Sequence, residues 1–224
     1  MLIWIFKKPS LIKISRWPRR MDFTTALLEL LILIGIGLAT PGPNPIAAFT
    51  HSGVFGKKSN VGLIAGMAVG IFMMELIIGL TIESLKENET ALVALHWIGM
   101  TFLAAMALTI FRINPSTLGI SENHQRIGFK TGVAMQFANG KEWAFIIIIM
   151  SQFITPFGGG LKAILLIASI TITICILAMM VWTFFGDKAS NLFTDPVKGP
   201  RVFKICGTLL SLLWVAFLIR GPVV

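Results

Sequence analysis

Ala39-Thr40-Pro41-Gly42-Pro43-Asn44-Pro45 lies inside a mostly apolar run from Ala26 to Phe49. A proline has no backbone N–H, and its ring clashes with the carbonyl one turn earlier. Prolines at i, i+2 and i+4 therefore break any helix that contains them. In water this would be an ordinary loop. In hydrocarbon no solvent reaches the freed carbonyls, and irregular backbone survives only where it is buried in protein or lines a polar cavity. Broken spans of this kind are where transporters hold their substrates.

The rest of the chain says that the setting is a membrane. Of 224 residues, 55% are apolar and 13% charged, with a mean hydropathy of +0.84, too apolar for a water-soluble domain. A formal charge of +9 raises nucleic acid as a partner. The basic residues, however, sit between apolar runs and form no patch or helix face, which excludes that class and fits loops that orient spans. Cys175 and Cys206 fall inside apolar runs without metal spacing or a disulfide framework, and read as packing residues.

Six apolar spans follow one another, at 24–50 (broken), 61–82, 91–111, 131–155, 162–185 and 202–220, each about the 20 residues a bilayer requires. Comparing alternate connections separates the charges. Lys57, Lys58, Arg112, Arg126, Lys130, Lys188, Lys198, Arg201 and Lys204 fall on one side, against Lys86, Lys162 and Arg220 on the other. Basic residues favour the cytoplasmic face, so the connections 51–60, 112–130 and 186–201 are expected there, with both termini outside. Residues 1–20 stand apart: six basic residues interleaved with apolar ones, without the apolar core of a signal peptide. They oppose the orientation just derived. The expectation is an upstream misassigned start or an interfacial tail, ahead of a single transmembrane domain at 21–224.

Polar residues inside the spans are the candidates for function. Lys141 lies within the fourth span, where a lysine costs roughly 2.5–3.5 kcal/mol on insertion scales. Its readings are binding a substrate carboxylate, pairing with an intramembrane acid, or the blander one of snorkelling to the interface. Gln136 and Asn139 flank it, and Gly140 loosens the helix beside it. Glu75 lies midway through the second span and reads equally as a proton-coupling acid or as half of a structural ion pair. The Asn44 amide offers both donor and acceptor groups at the first break, where the bland alternative is a kink needed only for packing. Gly62, Gly66 and Gly70 share one helix face and read as a close helix contact. His51, His96 and His124 have no metal-ligand spacing. Trp97, Trp143, Trp182 and Trp214 read as interfacial anchors or core packing. No nucleophile-and-base pattern and no nucleotide loop is present, so no catalytic residue, metal or cofactor is assigned.

With these residues in view, the chain resembles the lysine exporter and homoserine/threonine resistance (LysE/RhtB) family of small bacterial efflux proteins. The likeness is carried by the Pro-Gly-Pro-Asn of Pro41 to Asn44, by Gly62, Gly66 and Gly70, and by Gly99-Met100-Thr101-Phe102-Leu103. Gly132 to Trp143, at the opening of the fourth span, completes it. Gly140 stands where the family has proline, Phe102 where it has tyrosine, and Ala107 where a second glycine is common. Glu75 and Glu142 are charges foreign to the family pattern, and they bear on the substrate.

The resemblance implies an all-α integral membrane protein of six transmembrane helices, in the bacterial cytoplasmic membrane. It also implies two inverted three-helix repeats with broken first helices, 22–112 and 128–220, joined by a linker at 113–127. The function expected is secondary active export of a small amino acid or related metabolite, with protons as the expected coupling ion and the solute's own gradient as the alternative drive. The broken backbone (Pro41, Gly42, Pro43) and Asn44 would hold the ammonium or carboxylate, Lys141 and Asn139 the carboxylate, and Glu75 a proton, with Gln136 also in the substrate site. The partners are the amino acid or its analogue and the lipid bilayer, with monomer and homodimer both open. The alternative from another class is a passive channel or a structural membrane subunit.

Overall fold

The computed structural model describes residues 22–39, 42–112, 126–185 and 195–222. Every regular element among them is a helix. They are α1 (Phe23–Ala39), α2 (Pro43–Phe55), a 3-10 turn (Lys57–Ser59), α3 (Asn60–Ser84), α4 (Glu89–Phe111), α5 (Phe129–Ala138), α6 (Gly140–Phe153), α7 (Gly160–Phe184) and α8 (Lys198–Arg220). Residues 1–20, the linker up to residue 125, Thr40 and Pro41 lie outside the described residues, as does His124.

Local chemistry sets the helix starts. Asp22 Oδ1 accepts from the Thr25 N–H at 2.8 Å, and Asn88 Oδ1 from the Ala91 N–H at 3.0 Å, which satisfies donors that the first turns of α1 and α4 leave free. Large apolar side chains face outward along the bundle: Leu28 and Ile32 on α1, Ile77 and Leu80 on α3, Leu177 and Val181 on α7, Leu212 and Ile219 on α8. Such an outward apolar surface fits a multi-pass membrane protein, and the protein is one.

α3, α4, α7 and α8 are each long and apolar enough to cross a membrane, and α1 with α2, bent by 50°, makes a fifth span if the pair counts as one. The remaining expected span, 131–155, is the pair α5 and α6. At 10 and 14 residues, each part is shorter than the bilayer requires. α5 and α6 are thus divided as α1 and α2 are, and helix length and hydropathy account for four spans, or five with the bent pair α1 and α2.

Glycine sets the closest crossing. A Cβ on Gly66 would stand 2.0 Å from the Phe129 carbonyl oxygen, and one on Gly132 would stand 2.3 Å from that of Leu63. α3 and α5 therefore touch backbone to backbone, as small residues allow. Gly70 makes room for Gln136, whose Cγ lies 2.7 Å from the position a Cβ would take. Gly62 stands at the rim of the crossing, with 3.6 Å to the Phe129 nitrogen.

A second knot joins the ends of α2, α3 and α7. Buried His51 pairs through Nδ1 with Asn60 Oδ1 at 2.7 Å, and its Nε2 accepts from the Ile127 N–H at 3.1 Å. Asn60 Nδ2 donates to Thr183 Oγ1 at 2.8 Å. The histidine is a strut between three helix ends and the start of the second half.

Candidate functional site

The proline pattern decides which backbone groups need partners at the first break. Pro41 has no N–H, so the Gly37 carbonyl, its helical partner four residues earlier, has no donor within the helix. Lys141 supplies one: its Nζ donates to Gly37 O at 2.6 Å. The next carbonyl, Leu38 O, accepts from the indole Nε1 of Trp182 at 3.3 Å. Past the break, Gly42 is the extended N-cap of α2, and Pro43 and Pro45 take two of the first helical positions where an N–H would go unpaired anyway. Lys141 lies against Gly42, with Cδ 3.3 Å from the place a Cβ would fill.

The second break falls at Asn139. This residue is extended (φ −90°, ψ 98°) and caps α6, its Oδ1 accepting from the Lys141 N–H at 3.1 Å. Gly140 is then the first helical residue, a position that proline also favours, and nothing lies within 4 Å of where its Cβ would be. Its role is to begin α6, while Asn139 makes the interruption. The end of α5 is closed by another indole, Trp143 Nε1 donating to Phe137 O at 2.8 Å.

The two breaks meet. Asn44 Nδ2 donates to Gln136 Oε1 at 2.8 Å and to Glu142 Oε1 at 3.1 Å. In return Gln136 Nε2 donates to Asn44 Oδ1 at 3.2 Å and to Gly132 O at 3.1 Å. An amide nitrogen carries two hydrogens, and all four in this pair are used. Asn44 is thus occupied in joining α2 to α5 and in holding Glu142.

Around this junction is a cavity of about 50 Å³, whose polar lining comes from Asn44, Glu75, Asn139, Lys141, Glu142 and Thr171. One ordered water needs roughly 10–15 Å³ of such space, so the cavity has room for a few waters or part of a small solute. Ile71, Phe145, Ile149 and Met179 supply the apolar wall. Two polar atoms here are buried without a hydrogen-bond partner, Glu75 Oε2 and Asn139 Nδ2. Leaving such atoms unmatched costs roughly 1–3 kcal/mol each.

Glu75 and Lys141 reach the cavity with different partners. Glu75 is fully buried, and its Oε1 stands 2.6 Å from Thr171 Oγ1. The same hydroxyl stands 3.1 Å from both Ile167 O and Ala168 O. A hydroxyl has one proton. With Glu75 ionised, Thr171 donates to the carboxylate; with Glu75 protonated, the acid donates to Thr171 and the hydroxyl turns to a carbonyl of its own helix.

Of the sequence candidates, Gly42, Pro43, Asn44, Glu75, Asn139 and Lys141 line this one cavity, Gln136 is bonded to Asn44 behind it, and Pro41 lies outside the described residues. Glu142 and Thr171 belong to the site and were not among the candidates. For Glu142 a signal existed: Asn139-Gly140-Lys141-Glu142 ahead of an apolar run has the spacing of an N-cap followed by an acid three residues on. Thr171, in an apolar helix, gives none.

Comparison with known proteins agrees with the membrane reading. A family model described as LysE type translocator matches residues 35–221. An uncharacterized membrane protein of Vibrio cholerae is 22% identical over 193 residues, covering 84% of this chain and 94% of that protein. A cysteine/O-acetylserine efflux protein of Klebsiella pneumoniae is 27% identical over 155 residues, 69% of this chain and 78% of its own. Its counterpart in Escherichia coli K12 is 24% identical over the same length. No solved structure matches.

Proposed function

Because this chain belongs to the LysE type translocator family, we propose that it is a secondary active exporter of a small amino acid or related metabolite, loading its solute in the cavity between the two helix breaks. The observation that carries this reading is the set of groups in that one space: an ammonium (Lys141), two carboxyl groups (Glu75, Glu142), and an amide N–H of Asn139 that has no partner. A zwitterion requires groups of both signs. Its carboxylate goes to Lys141 and Asn139 Nδ2, and its ammonium goes to Glu142, which Asn44 holds in place. The names of the efflux relatives make cysteine and O-acetylserine the first solutes to try.

Glu75 carries the coupling proton, with Thr171 as the hydroxyl that changes acceptor when the proton arrives or leaves. The chain crosses the membrane six times, counting α1 with α2 and α5 with α6 as one span each. The halves 22–112 and 128–220 are inverted repeats: α3 packs on α7 and α4 on α8, each helix on its counterpart. The connections 51–60, 112–130 and 186–201 face the cytoplasm of a bacterial inner membrane.

The test is counterflow in inside-out vesicles preloaded with O-acetylserine, cysteine or each of the other amino acids, for wild type and Glu75→Gln. Accelerated exchange of labelled solute is expected for wild type. Glu75→Gln should keep the exchange but lose its acceleration by a pH gradient. Flux that no preloaded solute accelerates would make the protein a channel, and no flux with any solute would refute the exporter reading.

A further inference from the structure

A second polar cluster lies at the other end of α6. Gln152 and His96 are both buried, and Gln152 Nε2 is 2.9 Å from His96 Nδ1. With the amide as donor, His96 Nδ1 accepts and its proton sits on Nε2. Arg220, at the end of α8, is ion-paired through Nη1 to Glu29 of α1, and its guanidinium lies 5.5 Å from the ring centre of Phe153, beside Gln152. Three atoms of this cluster are buried without a hydrogen-bond partner: His96 Nε2, Gln152 Oε1 and Arg220 Nη2.

Those three are two donors and one acceptor, and Glu29 adds a carboxylate that is partly exposed. They are the complement of an α-amino acid: N–H groups of arginine and histidine for the carboxylate, and an amide oxygen with an acid for the ammonium. The position is equally informative. Lys141 begins α6 and Gln152 ends it, about 16 Å apart along the helix at 1.5 Å per residue. With Arg220 paired to Glu29 of α1, the cluster lies between the level of the central cavity and the end of the bundle where α1 begins.

We infer that His96, Gln152 and Arg220 form a second binding site, at which the carboxylate of the exported solute docks after leaving the central cavity, on the side of the membrane where α1 begins. The inference rests on the exporter reading above, and it predicts a variant phenotype confined to one face.

The experiment uses the full chain in right-side-out and inside-out vesicles, with labelled O-acetylserine, cysteine and the other amino acids in turn as probe. The half-saturating concentration is measured with solute presented to each face. His96→Leu removes one donor. Arg220→Lys keeps the charge for Glu29 while losing the planar fork, and so guards against simple misfolding. Each is expected to raise half-saturation about tenfold at the α1-start face, the worth of one charge-assisted hydrogen bond, and to leave the other face within about twofold. Lys141→Met should raise both. Equal shifts at the two faces in His96→Leu and Arg220→Lys, or no shift at either, would overturn the second site while leaving the central one standing. One-sided shifts with Lys141→Met at wild-type values would uphold the second site and remove the central one. No exchange in wild type with any probe would overturn both.

Discussion

Replacing Lys141 by methionine tests two things at once, the cap on the Gly37 carbonyl and the proposed solute contact. Methionine keeps the apolar stem against Gly42 and removes the ammonium that donates to the Gly37 carbonyl at 2.6 Å. The helix offers no donor four positions on, where the residue is Pro41. A hydrogen bond from a charged group contributes roughly 1.5–3 kcal/mol, and a buried acceptor left bare costs a similar amount. A loss of about 2 kcal/mol, near thirtyfold in the folding equilibrium, should lower the melting midpoint of the detergent-purified protein by several degrees. The transport effect should be larger. If the same ammonium receives the solute carboxylate, its removal leaves that charge unpaired in a buried site, and counterflow should fall by about two orders of magnitude. Lys141→Arg, which keeps a donor and a charge, should recover much of the stability and less of the transport, since the wider guanidinium does not occupy the same place. A Lys141→Met protein that melts like wild type and exports within twofold of it would refute both the capping argument and the site.

Substitutions at Gly66, Gly62, Asn44 and Gln136 test the frame around the cavity. Gly66→Ala pushes a Cβ to 2.0 Å from a backbone oxygen, so α3 and α5 must part by roughly 1.4 Å to reach ordinary contact, and about 1–3 kcal/mol of stability should be lost. Gly62→Ala, with 3.6 Å available, should be tolerated, and equal melting midpoints for the two would contradict the close crossing. Asn44→Ala strips a donor from both Gln136 and Glu142, and should lower counterflow at least tenfold while the protein still inserts. Combined with Gln136→Ala, it should cost about 1 kcal/mol less than the two single losses summed, because they share one pair of hydrogen bonds. Strict additivity in that cycle would show that the amide pair does not couple the half-helices.

What the sequence made legible follows from the range over which each cause acts. The break at 39–45 is local chemistry, three absent N–H groups, and it needs no knowledge of the fold. A lysine in an apolar span is costly wherever it lies, so Lys141 stood out. Its partner did not, because the need for one at Gly37 is local while the supplier lies 104 residues away. In the sequence the residue that loosens the helix beside Lys141 is Gly140, a glycine in place of the proline of the family pattern. The interruption is at Asn139, whose side chain caps the helix that Gly140 merely begins. Glu142 was noted as a foreign charge and not placed, although the capping spacing marks it. Thr171 is an ordinary threonine in an apolar helix until the fold sets it against Glu75. The tryptophans were open between interface and core. Trp143, Trp182 and Trp214 each donate to a carbonyl within the bundle, while Trp97 stays half-exposed.

The Asn44 and Gln136 side chains join the half-helices α2 and α5 without carrying charge. In the proposed transport cycle the electrical balance of Lys141, Glu142 and Glu75 around them would change as solute or a proton came or went. An ionic clasp at that place would loosen and tighten with each such event, and would feel the voltage across the bilayer. A neutral amide pair does neither. The amide pair is thus an uncharged link among the polar contacts around the cavity, and in the proposed exporter a change of voltage would act on the ionisable groups beside it and not on the pair itself.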